Sequence, residues 1–235
     1  FNDYFSQTRV FWNSLTPIEK QHTIEAFSYQ LGKVLEESVR QQNVNLLVNI
    51  DKELATIVAD NVGVEPPSGS HVPVSTSYPS LSQFHTPPNP KTQKVGVLIG
   101  NGCNGQEVGS ILNLLEQNGV FVEIISEKLG TITGSDGSTI KANQTFITYS
   151  PYLVDSVYVV GGSASNDPKF MQDVMDFVNV AYKHYKPIGV AATGGSFIQT
   201  TDANNLDGVV FAANNPNFGT EFINAISKMR FWDRK

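Results

Sequence analysis

Val95-Gly96-Val97-Leu98-Ile99-Gly100-Asn101-Gly102-Cys103-Asn104-Gly105 decides the fold of most of this 235-residue chain. The apolar run Val95 to Ile99 reads as a buried strand, and the helix-like pattern Gln106 to Gln117 follows a Gly-rich turn. The alternation continues with strands at Val120 to Ile125, Ser156 to Val160, Ile188 to Ala192 and Val209 to Phe211. Helices are expected at Pro168 to Tyr185 and Phe218 to Phe231, and Asp136-Gly137 marks a hairpin turn within Thr131 to Ile140. Strands alternating with helices predict a parallel sheet covered on both faces, with sites at the carboxyl ends of its strands.

Upstream, the pattern changes twice. Residues 64–93 hold seven of the chain's 12 prolines but only two charged side chains, Glu65 and Lys91. Proline removes backbone donors and favours extended chain, so this stretch reads as a linker that flexes or runs over a surface. Residues 1–63 read as helices. Thr16-Pro17-Ile18-Glu19 combines a cap, a first-turn proline and a capping box. A second start lies near Asp51, with Gly63 placed to stop that helix. The division expected is therefore 1–63 helical, 64–93 linker and 94–235 α/β.

Hydrophobic residues make up 40% of the chain and charged ones 16%, with a net charge of −6. That balance supports a sizeable core and offers no clustered basic face to nucleic acid. No apolar run is long enough for a membrane span. Phe1 to Val10 lacks the features of a signal peptide, and a first residue other than Met suggests a processed or truncated product. Asn143-Gln144-Thr145 is a glycosylation sequon, which matters only for a secreted parent. One cysteine, Cys103, permits no internal disulfide, and the four widely separated histidines suggest no metal site.

Two sites follow from pattern alone. Gly100 to Gly105 forms G-x-G-x-x-G between strand and helix, with Glu123 and Glu127 about where a ribose-binding acid could sit. The competing and favoured reading is a Gly-rich turn with no ligand. Cys103, on the same loop, has no basic residue near it in sequence to stabilise a thiolate, so an inert thiol is expected.

Several stretches together carry a family resemblance. They are Phe11-Trp12-Asn13-Ser14-Leu15, Val39-Arg40-Gln41-Gln42, Asp51-Lys52-Glu53-Leu54-Ala55, and Gly63-Val64-Glu65-Pro66-Pro67. Beyond the linker, Val157 to Gly162, Tyr182-Lys183-His184-Tyr185-Lys186-Pro187-Ile188 and Arg230-Phe231-Trp232 add to it. In this order they resemble the C-terminal part of a large-subunit haem catalase, with a fungal parent expected. The resemblance implies a flavodoxin-like α/β domain after the end of the catalase helical region. It implies a parent that decomposes hydrogen peroxide with haem, and a chain without the haem-binding barrel, hence no cofactor here. It implies contacts with the catalase core and neighbouring subunits, and a stabilising or assembly role. The α/β part is also similar to the glutamine amidotransferase-like superfamily, which includes proteases and chaperones. Active members carry a Cys where this chain has Thr193, in Ala191-Ala192-Thr193-Gly194-Gly195, and a Glu that Glu107 matches. A vestigial elbow is expected, the alternative being an amidotransferase-like or glyoxalase-like enzyme using Thr193 and Glu107. An ATP-independent holdase activity toward unfolded client proteins is a further expectation. Its candidate surface is Phe27, Leu31 and Leu35 with Leu54, Ile57 and Val58.

Overall fold

The computed structural model describes residues 3–162, 167–198 and 206–234. The chain forms two compact units, Phe1–Thr86 and Pro87–Lys235.

The first unit contains α1 (Ser6–Ser14), α2 (Pro17–Leu31), α3 (Glu37–Leu47) and α4 (Lys52–Val62). Local chemistry sets their ends. The Thr16 hydroxyl accepts from the Glu19 N–H, and the Glu19 carboxylate accepts from the Thr16 N–H at 2.8 Å, which completes the capping box. Asp51 caps α4 by accepting from the Leu54 N–H at 2.9 Å, and Gly63 ends it with φ 68°. Trp12, Ile24, Leu31, Val44, Leu54, Ala55 and Val58 form the core between the helices. Neither α1 nor α3 was marked by a start signal in the sequence, because neither has a side-chain cap.

Within this unit the proline-rich segment is held at separate points. Glu65 and Gln41 exchange two hydrogen bonds, the Asn13 amide donates to the Thr76 carbonyl, and the Tyr78 N–H donates to the Ser14 hydroxyl. Two short 3₁₀ turns follow, Pro79–Leu81 and Gln83–His85.

The second unit runs β1 (Lys94–Ile99), α5 (Gly105–Gln117), β2 (Phe121–Ser126), β3 (Gly130–Thr133), β4 (Thr139–Ala142), β5 (Gln144–Thr145), β6 (Ser156–Gly161), α6 (Pro168–Lys183), β7 (Ile188–Val190), β8 (Val209–Phe211) and α7 (Phe218–Lys228). Six strands form a sheet in the order β5-β2-β1-β6-β7-β8, with every pairing parallel. Without the two-residue β5 this is the doubly wound order of flavodoxin-like folds. Side chains of β6 alternate between the faces. Tyr158 and Val160 pack with Val108 and Leu115 of α5 and Phe222 of α7, while Val157 and Val159 pack with Phe170, Val174 and Phe177 of α6. The unit is thus α/β with helices on both faces, as its alternation predicts.

Two helices end earlier than their apolar pattern suggests. The chain leaves α6 after Lys183, where Tyr185 takes φ 58°, and leaves α7 after Lys228, where Met229 takes φ 65°. The Asp136-Gly137 turn does form a hairpin, the antiparallel pair β3–β4, with Gly137 at φ 79°.

Candidate functional site

The strand order reverses at β1, which has β2 on one side and β6 on the other, so the switch-point crevice lies at the carboxyl ends of β1 and β6. Four features meet around it: the Gly-rich loop 100–105, the Gly161-Gly162 turn after β6, Thr193 after β7, and Glu107 in the first turn of α5.

Thr193 and Glu107 do come to one turn. The Glu107 carboxylate accepts from the Ala192 N–H at 3.2 Å, and the Thr193 hydroxyl donates to the Val160 carbonyl at 2.8 Å. A nucleophile elbow holds its nucleophile on a sharp, strained turn at the head of a helix. Thr193 is not among the residues with positive φ, and the turn after it is a 3₁₀ segment, Gly195–Phe197. The hydroxyl proton is committed to a main-chain carbonyl rather than to a base, and an alcohol without a base is a poor nucleophile. Both side chains act here as staples between backbone segments.

Backbone segments approach one another closely in the crevice. A Cβ added to Gly162 would lie 2.5 Å from the Asn101 carbonyl oxygen and 3.0 Å from the Cys103 nitrogen. At Gly194 it would lie 2.5 Å from the Val159 carbonyl oxygen. These approaches require glycine at both positions.

The Gly-rich loop is engaged by the β3–β4 hairpin. The Gly102 N–H donates to the Thr133 carbonyl at 2.8 Å, the Ser135 N–H to the Cys103 carbonyl at 2.8 Å, and the Thr133 N–H to the Asn101 amide oxygen at 3.0 Å. At the start of α5, Asn104 accepts from the Glu107 N–H and the Asp136 carboxylate accepts from the Gln106 N–H at 2.9 Å. A pyrophosphate bound there would compete for the Gly102, Gln106 and Glu107 N–H groups. Asp136 brings negative charge to the place a phosphate would take, and its pKa is held low by the Ser138 hydroxyl and N–H and by the Gln106 N–H. A Cβ on Gly105 would collide with the Ser138 hydroxyl, so this glycine makes room for the hairpin. The motif and its strand–turn–helix setting are both present, with the Gly102 and Gln106 N–H groups engaged inside the protein. Glu123 is bonded instead to Asn143 and Gln144 and pairs with Lys94 at 3.9 Å.

Cys103 is fully buried, and burial raises its pKa, with Asp136 adding to the rise. It is an inert core thiol. Asn143, the sequon residue, spends both ends of its side chain on β2. Its oxygen accepts from the Ile124 N–H and its nitrogen donates to Glu123.

Sequence reading missed Tyr158. Its ring is fully buried against Phe218 and Phe222, and its hydroxyl has no hydrogen-bond partner. Burial pushes its pKa far above the ordinary phenol value, with Glu107 and Cys103 adding to the rise. An apolar strand pattern gives no sign that one of its members carries a buried hydroxyl.

The six residues proposed for client binding do not share one surface. Leu31, Leu54 and Val58 are core residues and Ile57 is half-buried, whereas Phe27 is 39% and Leu35 93% exposed. The reason is local packing: α2 and α4 bury their apolar faces against each other and α3, so no outside partner is needed to cover them. Phe27 remains on an open apolar groove of about 420 Å³ with His22, Ala26 and Gln30. Among the described residues no group of three metal-ligating side chains occurs, and no helix is long and apolar enough to cross a membrane.

Comparison with known proteins bears on both units. Residues 1–62 match the family described as catalase-related immune-responsive. The chain is 41% identical over 234 residues to a catalase of Alkalihalophilus pseudofirmus and 40% identical over 241 residues to Catalase-2 of Bacillus subtilis. Each match covers 100% of this chain and 34% of the relative. Catalase-1 of the fungus Neurospora crassa is 26% identical over 267 residues, with 36% of its length covered, so the higher identities do not lie with the fungal relative. The chain thus spans about a third of the length of the curated relatives it matches. Residues 91–235, which hold the whole parallel sheet, match the family described as the C-terminal domain found in long catalases, and the chain belongs to that family.

Proposed function

We propose that this chain is the non-catalytic C-terminal part of a haem catalase whose other part decomposes hydrogen peroxide. The observation that carries the non-catalytic reading is the occupied site. Thr193 gives its proton to Val160, Asp136 fills the start of α5, and Gly162 lies close against the backbone of Asn101 and Cys103. Haem needs an apolar pocket with an axial ligand, and the cofactor belongs to the parent. The role of the chain is to stabilise and assemble the parent by packing on its catalytic core and on neighbouring subunits. The rival reading is an amidotransferase-like or glyoxalase-like enzyme using Thr193 and Glu107. One set of assays separates them. The purified chain mixed with haem should give no stoichiometric Soret band and no oxygen from peroxide. Thr193→Ala should leave any hydrolase or glyoxalase background unchanged. An activity present in the wild type and abolished by Thr193→Ala would overturn the proposal.

A second reading rests on exposed apolar side chains of the helical unit, Phe11, Phe27, Tyr29 and Leu35 among them. Exposed apolar side chains are candidate interaction sites, although these four are not shown to share one patch. A weak, ATP-independent holdase activity follows from them, with Leu31, Leu54 and Val58 taking no part while the unit stays folded. In light scattering of a heat-labile client enzyme, a several-fold excess of the chain should delay aggregation, and Phe27→Ser with Leu35→Ser should remove the delay. A delay matched by an inert acidic protein would end this reading.

A further inference from the structure

Glu19 does more than cap α2. Its carboxylate also accepts from two groups on the far side of the proline-rich segment: the Ser82 hydroxyl at 2.8 Å and the Gln83 N–H at 2.7 Å. Two donors at the start of α2, the Thr16 N–H and hydroxyl, share the same carboxylate. Glu19 is 8% and Ser82 3% exposed, so the joint is inside the unit. The Ser82 hydroxyl is used again, accepting from the Phe84 N–H to start the second 3₁₀ turn. On its N-terminal side the segment is fixed by two further hydrogen bonds, one from Tyr78 to Ser14 and one from Asn13 to Thr76. Beyond Thr86 the first compact unit ends.

We infer that residues 76–86 are a releasable strap on the helical unit, latched by the Glu19 carboxylate through Ser82 and Gln83. A carboxylate accepts four hydrogen bonds well only while ionised, since its protonated form gives up acceptor capacity and becomes a donor. Two of its four donors belong to the strap, so loss of the charge frees the strap in particular. Once freed, the strap keeps two hydrogen bonds to α1, at Thr76 and Tyr78, and the rest returns to the tether that its proline content favours.

The charges around the latch leave it to neutral donors. On α1, Arg9 donates to the Asn49 carbonyl and pairs with Asp3. On α2, the Lys20 ammonium sits over the Trp12 ring at 5.2 Å, and His22 lies one turn further along the helix. On the strap, His85 meets the Phe84 ring edge-on. Upstream, His71 lies 3.9 Å from Asp51, a separate contact that Glu19 does not govern. Burial raises the Glu19 pKa, and the N–H and hydroxyl donors of Thr16, Ser82 and Gln83 outweigh it to give a net lowering. The latch is therefore closed at neutral pH and opens only in acid, below the ordinary carboxylate range.

The test uses the whole chain and limited proteolysis by an enzyme that cuts after aromatic residues and leucine, with Tyr78, Leu81 and Phe84 as strap sites. Glu19→Gln keeps the capping box, which accepts Gln at this position, but loses one acceptor oxygen and turns an amide donor toward the strap. Cutting at Leu81 and Phe84 should accelerate by about tenfold or more relative to wild type, the loss of at least one charge-assisted hydrogen bond. Ser82→Ala, which leaves the α2 cap untouched, should accelerate the same sites less, and the double variant no more than Glu19→Gln alone. With an acid-active protease, wild type should become sensitive at the strap as pH falls, while Glu19→Gln stays flat. Wild-type cutting rates at Leu81 and Phe84 in both variants would overturn the inference. So would equal acceleration throughout the helical unit, because Glu19 would then be a core residue and not a latch. Should Glu19→Gln fail to fold, Ser82→Ala decides alone: unchanged strap cutting in that variant rejects the latch.

Discussion

Phe222→Ala should cost the α/β unit about 3–5 kcal/mol, the usual range for a fully buried phenylalanine. The ring is 1% exposed, stacks on Phe218 with centroids 5.7 Å apart and lies 5.9 Å from Tyr158. It also decides what β7 can carry beneath α7. A Cβ built on Gly189 would lie 2.8 Å from two atoms of this ring, and Gly189 sits mid-strand with no positive φ to require glycine. Space, not backbone freedom, therefore selects glycine there. Gly189→Ala alone should cost on the order of 1–3 kcal/mol through overpacking. In the double variant Phe222→Ala/Gly189→Ala the new methyl enters the vacated space, so the two costs should sum to more than the measured loss, by roughly 1 kcal/mol. Urea unfolding followed at Trp232 in a Trp12→Phe background reads this unit by itself. Additive costs would show that the ring and the glycine are not in contact.

The second large effect is expected at the end of the chain. Arg234 is 2% exposed, and its guanidinium donates to the carbonyls of Asp207, Tyr182 and Lys186 while lying 4.4 Å from the centre of the Tyr182 ring. These carbonyls come from the loop before β8, the end of α6 and the turn into β7, so one planar group ties three segments. Arg234→Ala leaves two buried acceptors, the Tyr182 and Lys186 carbonyls, and the part-buried Asp207 carbonyl without that donor and should cost about 3 kcal/mol. Arg234→Lys should restore little, because a single ammonium cannot span the same fork. Beside it, Lys186 is 4% exposed and donates to the Pro151 and Val154 carbonyls. Burial lowers its pKa to about 8, the Arg230 charge adds to the fall and Asp155 opposes it. An unfolded lysine titrates near ~10.4. Between those values the unfolded chain binds a proton that the folded chain does not, so Lys186 adds a rise in stability as pH increases through the window, read against Lys186→Met. Below the folded pKa both states are protonated and the contribution is level. Lys186→Met should abolish the rise while Arg234→Ala keeps part of it. A difference between wild type and Lys186→Met that does not grow in favour of wild type between about pH 8 and 10 would contradict the buried-lysine reading.

Much of this molecule is decided by neighbours in sequence. Thr16 with Glu19, Asp51 with Gly63, and Pro168 behind Asp167 set helix ends through groups a few residues apart, and each is legible as a string of letters. The apolar runs of β1, β6 and β7 likewise specify strands buried on both faces, which requires covering helices and hence the doubly wound order. The site was half legible. Its elements and the pair Thr193 and Glu107 were visible in the sequence, and the structure brings them to one turn. What tertiary structure alone decided is which donors were already taken. Asp136 reaches the start of α5 from 30 positions away, Ser82 reaches Glu19 across 63, and Gly162 closes on Asn101 from the next crossover. Leu31, Leu54 and Val58 became core because helices from one unit met each other. The physical reason is common to all of these. A residue type states which bonds and burial a side chain can have, while occupancy depends on long-range partners whose pairing no local spacing records.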